Sequence, residues 1–472
     1  MTDSPIILDA SQERAVELVC KANFGIVTGG PGTGKSTCLR IALDRLDRAH
    51  VCYELASPTG KAARRLSEAT GGRKAQTLHR LLEYNPGRGG FVRNAARPLE
   101  CDVVIVDEAS MVDAPLLAAL LQAVAPERTR VILVGDANQL PPVGPGRPFG
   151  DLVDWNQVPT VRLEVLHRTA QTSWIHVAAQ DLLHNRLPAL EPRADFRWIE
   201  VHDPKWIVPK IRRLALEVFG PGKKIDAEWQ VLIPQRPGIA GIDAANPVLQ
   251  ETLNPKQRPD DRVWPRDGWE IRKGDSVIQT RNNYDIEVFN GEIGRVLHVG
   301  TLIDPVTKKP ALDDNGNELQ GINVQFAGHE EISTYTGHRM LDLQLAYALT
   351  VHRTQGSEFP WAVVVCHSTH SFILSRQLLY TAITRAKQGV VLIGDQLGLE
   401  RALSNRRTDE RNTTLVARLE DALEPAEEYE SQEFTEPEPE PEPEHDWPCC
   451  DCMECENRRR AEASHDDAEA VP

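Results

Sequence analysis

Gly29-Gly30-Pro31-Gly32-Thr33-Gly34-Lys35-Ser36 fits the pattern G-x-x-x-x-G-K-[ST] and follows the short apolar run Phe24–Thr28. Such a loop between a strand and a helix has one physical use. Its glycines let successive backbone N–H groups wrap a chain of phosphates, its lysine reaches the β- and γ-phosphates, and its hydroxyl ligates Mg²⁺. The run Thr37–Arg48 suits a helix whose N-terminus points at that anion. The expected ligands are ATP and Mg²⁺, held by Gly30, Gly32, Thr33, Gly34, Lys35, Ser36 and Thr37.

A loop of this kind needs a parallel sheet around it, and residues 1–160 read that way. Strand-like runs Gly25–Thr28, Val51–Ser57, Val103–Asp107 and Val131–Gly135 alternate with helical stretches Thr37–Arg48, Gly60–Ala69 and Pro115–Ala123. The alternation means βαβ units with both sheet faces covered. A second set, with strands Gln230–Pro234, Ala362–His367 and Val390–Gly394, occupies 161–265 and 346–400. Between those two pieces, 266–345 carries short β-type runs (Ser276–Thr280, Gly294–Val299, Gly321–Phe326, Glu331–Thr334) separated by turns such as Asp313-Asp314-Asn315-Gly316. This predicts a small inserted antiparallel β-barrel. Residues 84–100 form a shorter insertion able to turn a hairpin, and 401–425 a helical extension.

A chain of 472 residues exceeds one core, so two to four domains are expected. The net charge of −16 misleads: residues 420–472 hold 20 acidic and 3 basic side chains, a balance of −17, which leaves about +1 for the body. From 426 to 472 the chain is Pro/Glu-rich and then Cys-rich, and such composition predicts a disordered acidic tail. Five scattered cysteines fit free thiols in a reducing cytosol. No basic-then-apolar leader opens the sequence, and no apolar run approaches the roughly 20 residues that span a bilayer. The expectation is a cytoplasmic protein without a membrane partner. In the tail, Cys449, Cys452 and Cys455 share thiolates too closely to build an obvious tetrahedral Zn²⁺ site, although His445 or His465 could complete one. A reduced tail or a partner-docking peptide reads equally well, and the acidic run could compete with a polyanionic ligand or recruit basic partners.

The apolar run Val103–Val106 ends in Asp107-Glu108, which sets two carboxylates at the ligand-binding end of a parallel strand. Asp107 would hold Mg²⁺, directly or through water, and Glu108 would polarise an attacking water as general base. The next strand ends in Gly135-Asp136-Ala137-Asn138-Gln139, where Gln139 could sense the γ-phosphate.

These residues resemble superfamily 1 helicases of the RecD-like branch, from about Leu8 to Gly394. Gln12 resembles the family's adenine-reading glutamine. Ser57–Ala63 and Thr77–Leu82 are similar to its strand-gripping segments. Leu166-His167-Arg168 is similar to the segment bearing an arginine finger. Tyr347–Glu358 is similar to the DNA-coupling segment, and Leu379–Ala386 to the last motif, with Arg385 as second finger. Asn282-Asn283-Tyr284 with Asn290–Gly294 is similar to the family's inserted barrel. The resemblance implies two RecA-like P-loop NTPase domains. It implies an ATP-dependent DNA helicase that translocates 5′→3′ on single-stranded DNA, acts on tailed duplexes and is a monomer. The glutamine segment begins near residue 8, so the compact phage-type form is expected, bacterial or phage-encoded; no acidic cluster has nuclease-like spacing, so no intrinsic nuclease is expected. An RNA-directed motor and a regulatory ATPase switch are the alternatives.

The chemistry asks for this layout. An arginine from a second domain contributes about 10³–10⁵ in rate at the γ-phosphoryl and ties hydrolysis to domain closure. Lys35, Asp107, Glu108, Gln139, Arg168 and Arg385 are thus the expected catalytic set. Pro58, Thr59, Lys61, Thr77, His79, Thr350 and His352 are the expected DNA contacts, holding phosphates without reading bases. Phe91 would tip a strand-separating pin or merely pack on its neighbour. Trp361 and Tyr284 would stack bases or sit in the core.

Overall fold

The computed structural model describes residues 8–85, 87, 89–164, 173–219, 228–258, 261–283, 285–304, 307–313, 315–405 and 414–423. Residues 8–419 lie in one compact unit. Its first lobe is a six-stranded parallel sheet. The strands are β1 (Phe24–Gly29), β2 (Tyr53–Ser57), β3 (Ala75–Thr77), β6 (Val103–Val106), β7 (Arg130–Gly135) and β8 (Thr160–Leu163). Their order is β3-β2-β6-β7-β1-β8. The helices are α1 (Ala10–Lys21), α2 (Lys35–Arg48), α3 (Gly60–Ala69), α4 (Leu78–Leu81), α5 (Ala114–Gln122) and α6 (Pro148–Trp155). A two-stranded hairpin, β4 (Tyr84–Asn85) and β5 (Gly90–Phe91), follows α4, with Phe91 packed against the lobe's core.

The strands read as unbroken apolar runs because both sheet faces are covered. Val103 and Ile105 enter one core with Leu39, Leu43 and Ile132. Val104 and Val106 enter the other with Leu117, Leu120 and Leu133. Burying such a side chain is worth about 1.5–3 kcal/mol, so each strand is held from both sides. The sheet extends to Leu163, because β8 pairs with β1 from Ile26↔Thr160 to Gly29↔Leu163. It therefore runs three residues past the break expected at 160. That strand, Thr-Val-Arg-Leu, is half-exposed at the sheet edge and carries little apolar signal.

The second lobe repeats the scheme with a five-stranded parallel sheet, β18-β10-β19-β20-β9. These strands are β9 (Phe196–Glu200), β10 (Trp229–Ile233), β18 (Ala348–Thr350), β19 (Phe359–Cys366) and β20 (Ala386–Gly394). Its helices are α7 (Trp174–Leu183), α8 (Ile207–Glu217), α9 (Ile242–Leu253), α10 (Arg376–Ile383) and α11 (Gln396–Ser404). Alternate strand residues again enter two cores, Val364 and Leu392 on one side and Val363 and Val391 on the other.

Between β10 and β18 the chain leaves this sheet. A short pair, β11 (Val263–Pro265) and β12 (Glu270–Arg272), leads into an antiparallel sheet of five strands. They are β13 (Ser276–Gln279), β14 (Ile293–Thr301), β15 (Gln320–Phe326), β16 (Ser333–Thr336) and β17 (Leu343–Leu345), ordered β16-β15-β14-β13-β17. Its core gathers Val277, Val296, Ile322, Val324, Phe326 and Tyr335. Helix α12 (Leu415–Leu423) ends the described chain, with Leu415 and Leu419 against the first lobe's core.

Candidate functional site

The phosphate loop joins β1 to α2. Gly32 and Gly34 have φ of +75° and +89°, a region that side chains rarely adopt. Gly34 is also the N-cap of α2, and no side chain among the described residues caps that end. The first-turn N–H groups are therefore directed at the loop, as an anion requires. Thr33 Oγ1 donates to the Gly30 carbonyl at 2.8 Å, and Lys35 Nζ donates to the Gly29 and Gly30 carbonyls at 2.6 and 3.0 Å. Gln12 braces the loop from α1: its Nε2 donates to the Thr33 carbonyl at 3.1 Å, and its Oε1 accepts from the Asp9 N–H at 3.2 Å.

The fully buried β6 delivers Asp107 and Glu108 to the same place. Glu108 turns the chain with φ 53° and ψ 38°, a left-handed conformation for a residue with a side chain. That strain, about 1–3 kcal/mol, is held by the surrounding fold and aims the carboxylate. Burial first, and the neighbouring Glu108 second, push the Asp107 carboxyl above its usual range, against the opposing pull of Lys35 and Arg65. Two acids crowded beside a lysine, with Ser36 on the facing helix, suit a divalent cation that would relieve their repulsion.

A cleft of about 650 Å³ joins these groups to the second lobe. The first lobe lines it with Gly30, Gly32, Gly34, Lys35, Ser36, Thr37, Asp107, Glu108 and Gln139; the second supplies Gly356, Glu358 and Arg385. Arg385 is buried and fixed by its own lobe, Nε donating to the Thr381 carbonyl at 3.1 Å and Nη1 to the Ser357 carbonyl at 3.2 Å. Arg168 lies outside the described residues, as do Tyr284, Cys449, Cys452 and Cys455. Among the described residues, no cluster of three or more His, Cys, Asp or Glu side chains could hold a metal ion.

Several residues that the sequence reading passed over bridge the lobes here. Arg65, one turn beyond Lys61 on α3, pairs with Glu358 at 2.7 Å and donates to the Gly356 carbonyl at 2.8 Å. Burial alone would raise the Glu358 carboxyl, but Arg65 and Lys387 outweigh it and hold the group down at about 2. The chain from Asp136 to Leu140 is pinned three times. Tyr380 Oη donates to Asp136 at 2.9 Å, Leu140 N donates to Thr381 Oγ1 at 2.8 Å, and Gln355 Nε2 donates to the Leu140 carbonyl at 3.1 Å. Only the helical spacing of Arg65 behind Lys61 could have flagged the first of these.

The expected strand contacts sit at helix starts. Thr59, Thr77 and Thr350 each cap a helical turn, accepting from the N–H groups of Ala62, Arg80 and Arg353. Pro58 precedes the first of these turns, and His352 lies within the last. Helix N-termini of this kind hold phosphates in a sequence-independent way. Lys61 is half-buried against the loop before β14, with Nζ 3.5 Å from the Gly291 carbonyl. Burial first, then Arg65, depress its ammonium to about 8, with Glu292 opposing. Phe91 is not at a hairpin tip. It sits in β5, its ring centroid 5.2 Å from Tyr84 and 5.7 Å from His79. Trp361 is buried in the core, its ring centroid 5.9 Å from that of Phe219.

Two parallel sheets facing across one phosphate-loop cleft define a two-lobed P-loop NTPase. Residues 7–204 match the AAA domain family, 345–393 the UvrD-like helicase C-terminal domain, and 246–320 the SH3 domain of ATP-dependent RecD-like DNA helicases. The chain is 38% identical over 413 residues to the ATP-dependent RecD2 DNA helicase of Deinococcus radiodurans, which covers 87% of this chain and 52% of that protein. It thus spans about half the length of that relative. It is 30% identical to the RecBCD enzyme subunit RecD of Mycolicibacterium smegmatis, covering 88% of this chain and 75% of that one. The fold is similar to that of the Pif1 helicase from Candida albicans, with a TM-score of 0.52 at 19% identity over 86% of this chain and 99% of that one. The chain belongs to the RecD-like superfamily 1 DNA helicases, a family of ATP-dependent enzymes. No helix among the described residues is long and apolar enough to cross a membrane.

Proposed function

We propose that this chain is a DNA motor that translocates 5′→3′ on single-stranded DNA and couples ATP hydrolysis between its lobes to the unwinding of tailed duplexes. One observation carries the reading: Lys35, Asp107, Glu108 and Gln139 share a cleft with Arg385 of the opposite lobe. Lys35 and the N-terminus of α2 bind the phosphates, and Ser36 with Asp107 holds Mg²⁺. The Mg²⁺ ion, when bound, neutralises charge building on the phosphate oxygens. Glu108 takes the proton of the attacking water, Gln139 orients that water, and Arg385 stabilises charge at the γ-phosphoryl. Arg168 acts as the companion finger and Gln12 reads the adenine. Hydrolysis then depends on the lobes being closed, and opening moves one set of strand contacts relative to the other.

Thr59, Lys61 and Thr77 of the first lobe, with Thr350 and His352 of the second, form those two sets, with Pro58 and His79 beside them. The inserted antiparallel sheet serves as a small SH3-like barrel over the first set. The protein works as a cytoplasmic monomer of bacterial or phage origin, its acidic tail open to a protein partner. Strand displacement on 5′- and 3′-tailed duplexes, with Lys35→Ala beside the wild type, tests this. Unwinding of the 5′-tailed DNA alone, lost in the variant, is the expected result. Hydrolysis and unwinding retained by Lys35→Ala, or unwinding from the 3′ tail, overturns it.

A further inference from the structure

Gln139 is buried with its two amide atoms in different surroundings. Its Nε2 faces Asp136 Oδ2 at 3.3 Å. A carboxylate only accepts, so the nitrogen must be the end turned toward it. The Oε1 is therefore the end left over, and it meets no donor among the described residues. Gln139 lines the phosphate-loop cleft. An unmet buried acceptor costs about 1–3 kcal/mol, so this orientation asks for a donor such as a water molecule.

What fixes the amide is Asp136, which is fully buried at the end of β7. Its Oδ1 accepts from the Asn138 N–H at 3.0 Å, and its Oδ2 takes both Gln139 and the hydroxyl of Tyr380. Tyr380 belongs to α10 of the other lobe and is itself buried. The same hydroxyl lies 3.0 Å from where a side chain would begin on Gly30 of the phosphate loop. One oxygen from the second lobe thus borders the nucleotide loop and holds the carboxylate that orients Gln139.

We propose that Tyr380 is a positioning residue for hydrolysis: through Asp136 it fixes the Gln139 amide at the wall of the cleft, and it does so only while the lobes are together. The Gln139 side chain is then held in register with the phosphate loop in the closed state and loses its alignment when the lobes part. This rests on the motor reading above and adds the element by which closure reaches Gln139.

The test is a double-mutant cycle of DNA-stimulated ATP hydrolysis in the full chain, with Tyr380→Phe, Gln139→Ala and the pair. Loss of one hydrogen bond to a charged group corresponds to about a 10-fold fall in rate. Tyr380→Phe should lower kcat by about 10-fold with the KM for ATP unchanged, and the double variant should be no slower than Gln139→Ala alone. Asp136→Asn should behave like Tyr380→Phe, which provides a second variant if the phenylalanine weakens folding. Wild-type kcat in a folded Tyr380→Phe, fully multiplicative losses in the double variant, or a fall seen only as a raised KM, each overturns the proposal. Absence of ATP hydrolysis in the wild type would instead sink the motor reading itself.

Discussion

Replacing Glu358 with Gln removes the carboxylate that joins Arg65 to the second lobe while keeping the side chain's size. The structure sets the scale of the loss. The group is held at about 2 against an ordinary 4.5, a difference that corresponds to on the order of 3 kcal/mol favouring the ionised form. Glu358 and Arg65 are about one-third exposed (32% and 36%), so solvent screening reduces this to about 1–2 kcal/mol. Arg65 keeps the Gly356 carbonyl, which limits the penalty further. Because the folded group titrates below its unfolded value, the contribution is complete above about pH 4.5 and is lost as pH falls toward 2. The wild-type and Glu358→Gln melting curves should therefore differ by a few degrees, with the gap constant between pH 6 and 8. A double-mutant cycle with Arg65→Met isolates the pair and should give a coupling of about 1–2 kcal/mol. A coupling near zero at pH 7 would refute the argument that this pair ties the lobes together.

Lys61→Ala should lower the affinity for single-stranded DNA and flatten the slope of log affinity against log salt by about 0.7. Since the ammonium titrates at about 8, its charge fades as pH rises from 7 to 9, so wild-type affinity should fall over that range and the variant's should not. Equal pH profiles would remove Lys61 from the DNA contacts. In Gly60→Ala the new carbon would lie 2.0 Å from Phe289 Cγ, so α3 or the loop before β14 must shift. A destabilisation of about 1–3 kcal/mol in a melting assay, with weakened DNA binding, is expected; wild-type melting would show that the two surfaces separate freely.

The parts legible in the sequence were those with a strong local signature. The apolar run before Asp107 and the glycine spacing before Lys35 left one arrangement open, because a buried parallel strand and a phosphate loop admit few alternatives. Strand β8 was missed because Thr160–Leu163 is a half-exposed edge of four residues with only two apolar side chains, too short for its alternation to stand out. Phe91 was a natural choice for a tip, yet pairing Tyr84 with Phe91 puts it at the base of the hairpin. Asp136 and Tyr380 could not be singled out, since their importance comes from each other, 244 positions apart, across lobes that only the tertiary fold brings together; Arg65 offered only its helical spacing behind Lys61. Glu108 was found as a carboxylate, but nothing in its neighbours announced its left-handed backbone.

Catalysis shared across the cleft is tested most directly by single-turnover and steady-state hydrolysis in Arg385→Ala, with DNA saturating. The arginine comes from the lobe opposite Lys35, and transfer of charge stabilisation across the seam predicts a fall in kcat of about 10³-fold or more, with ATP still binding. Turnover within a few-fold of wild type by a folded Arg385→Ala protein would contradict the account.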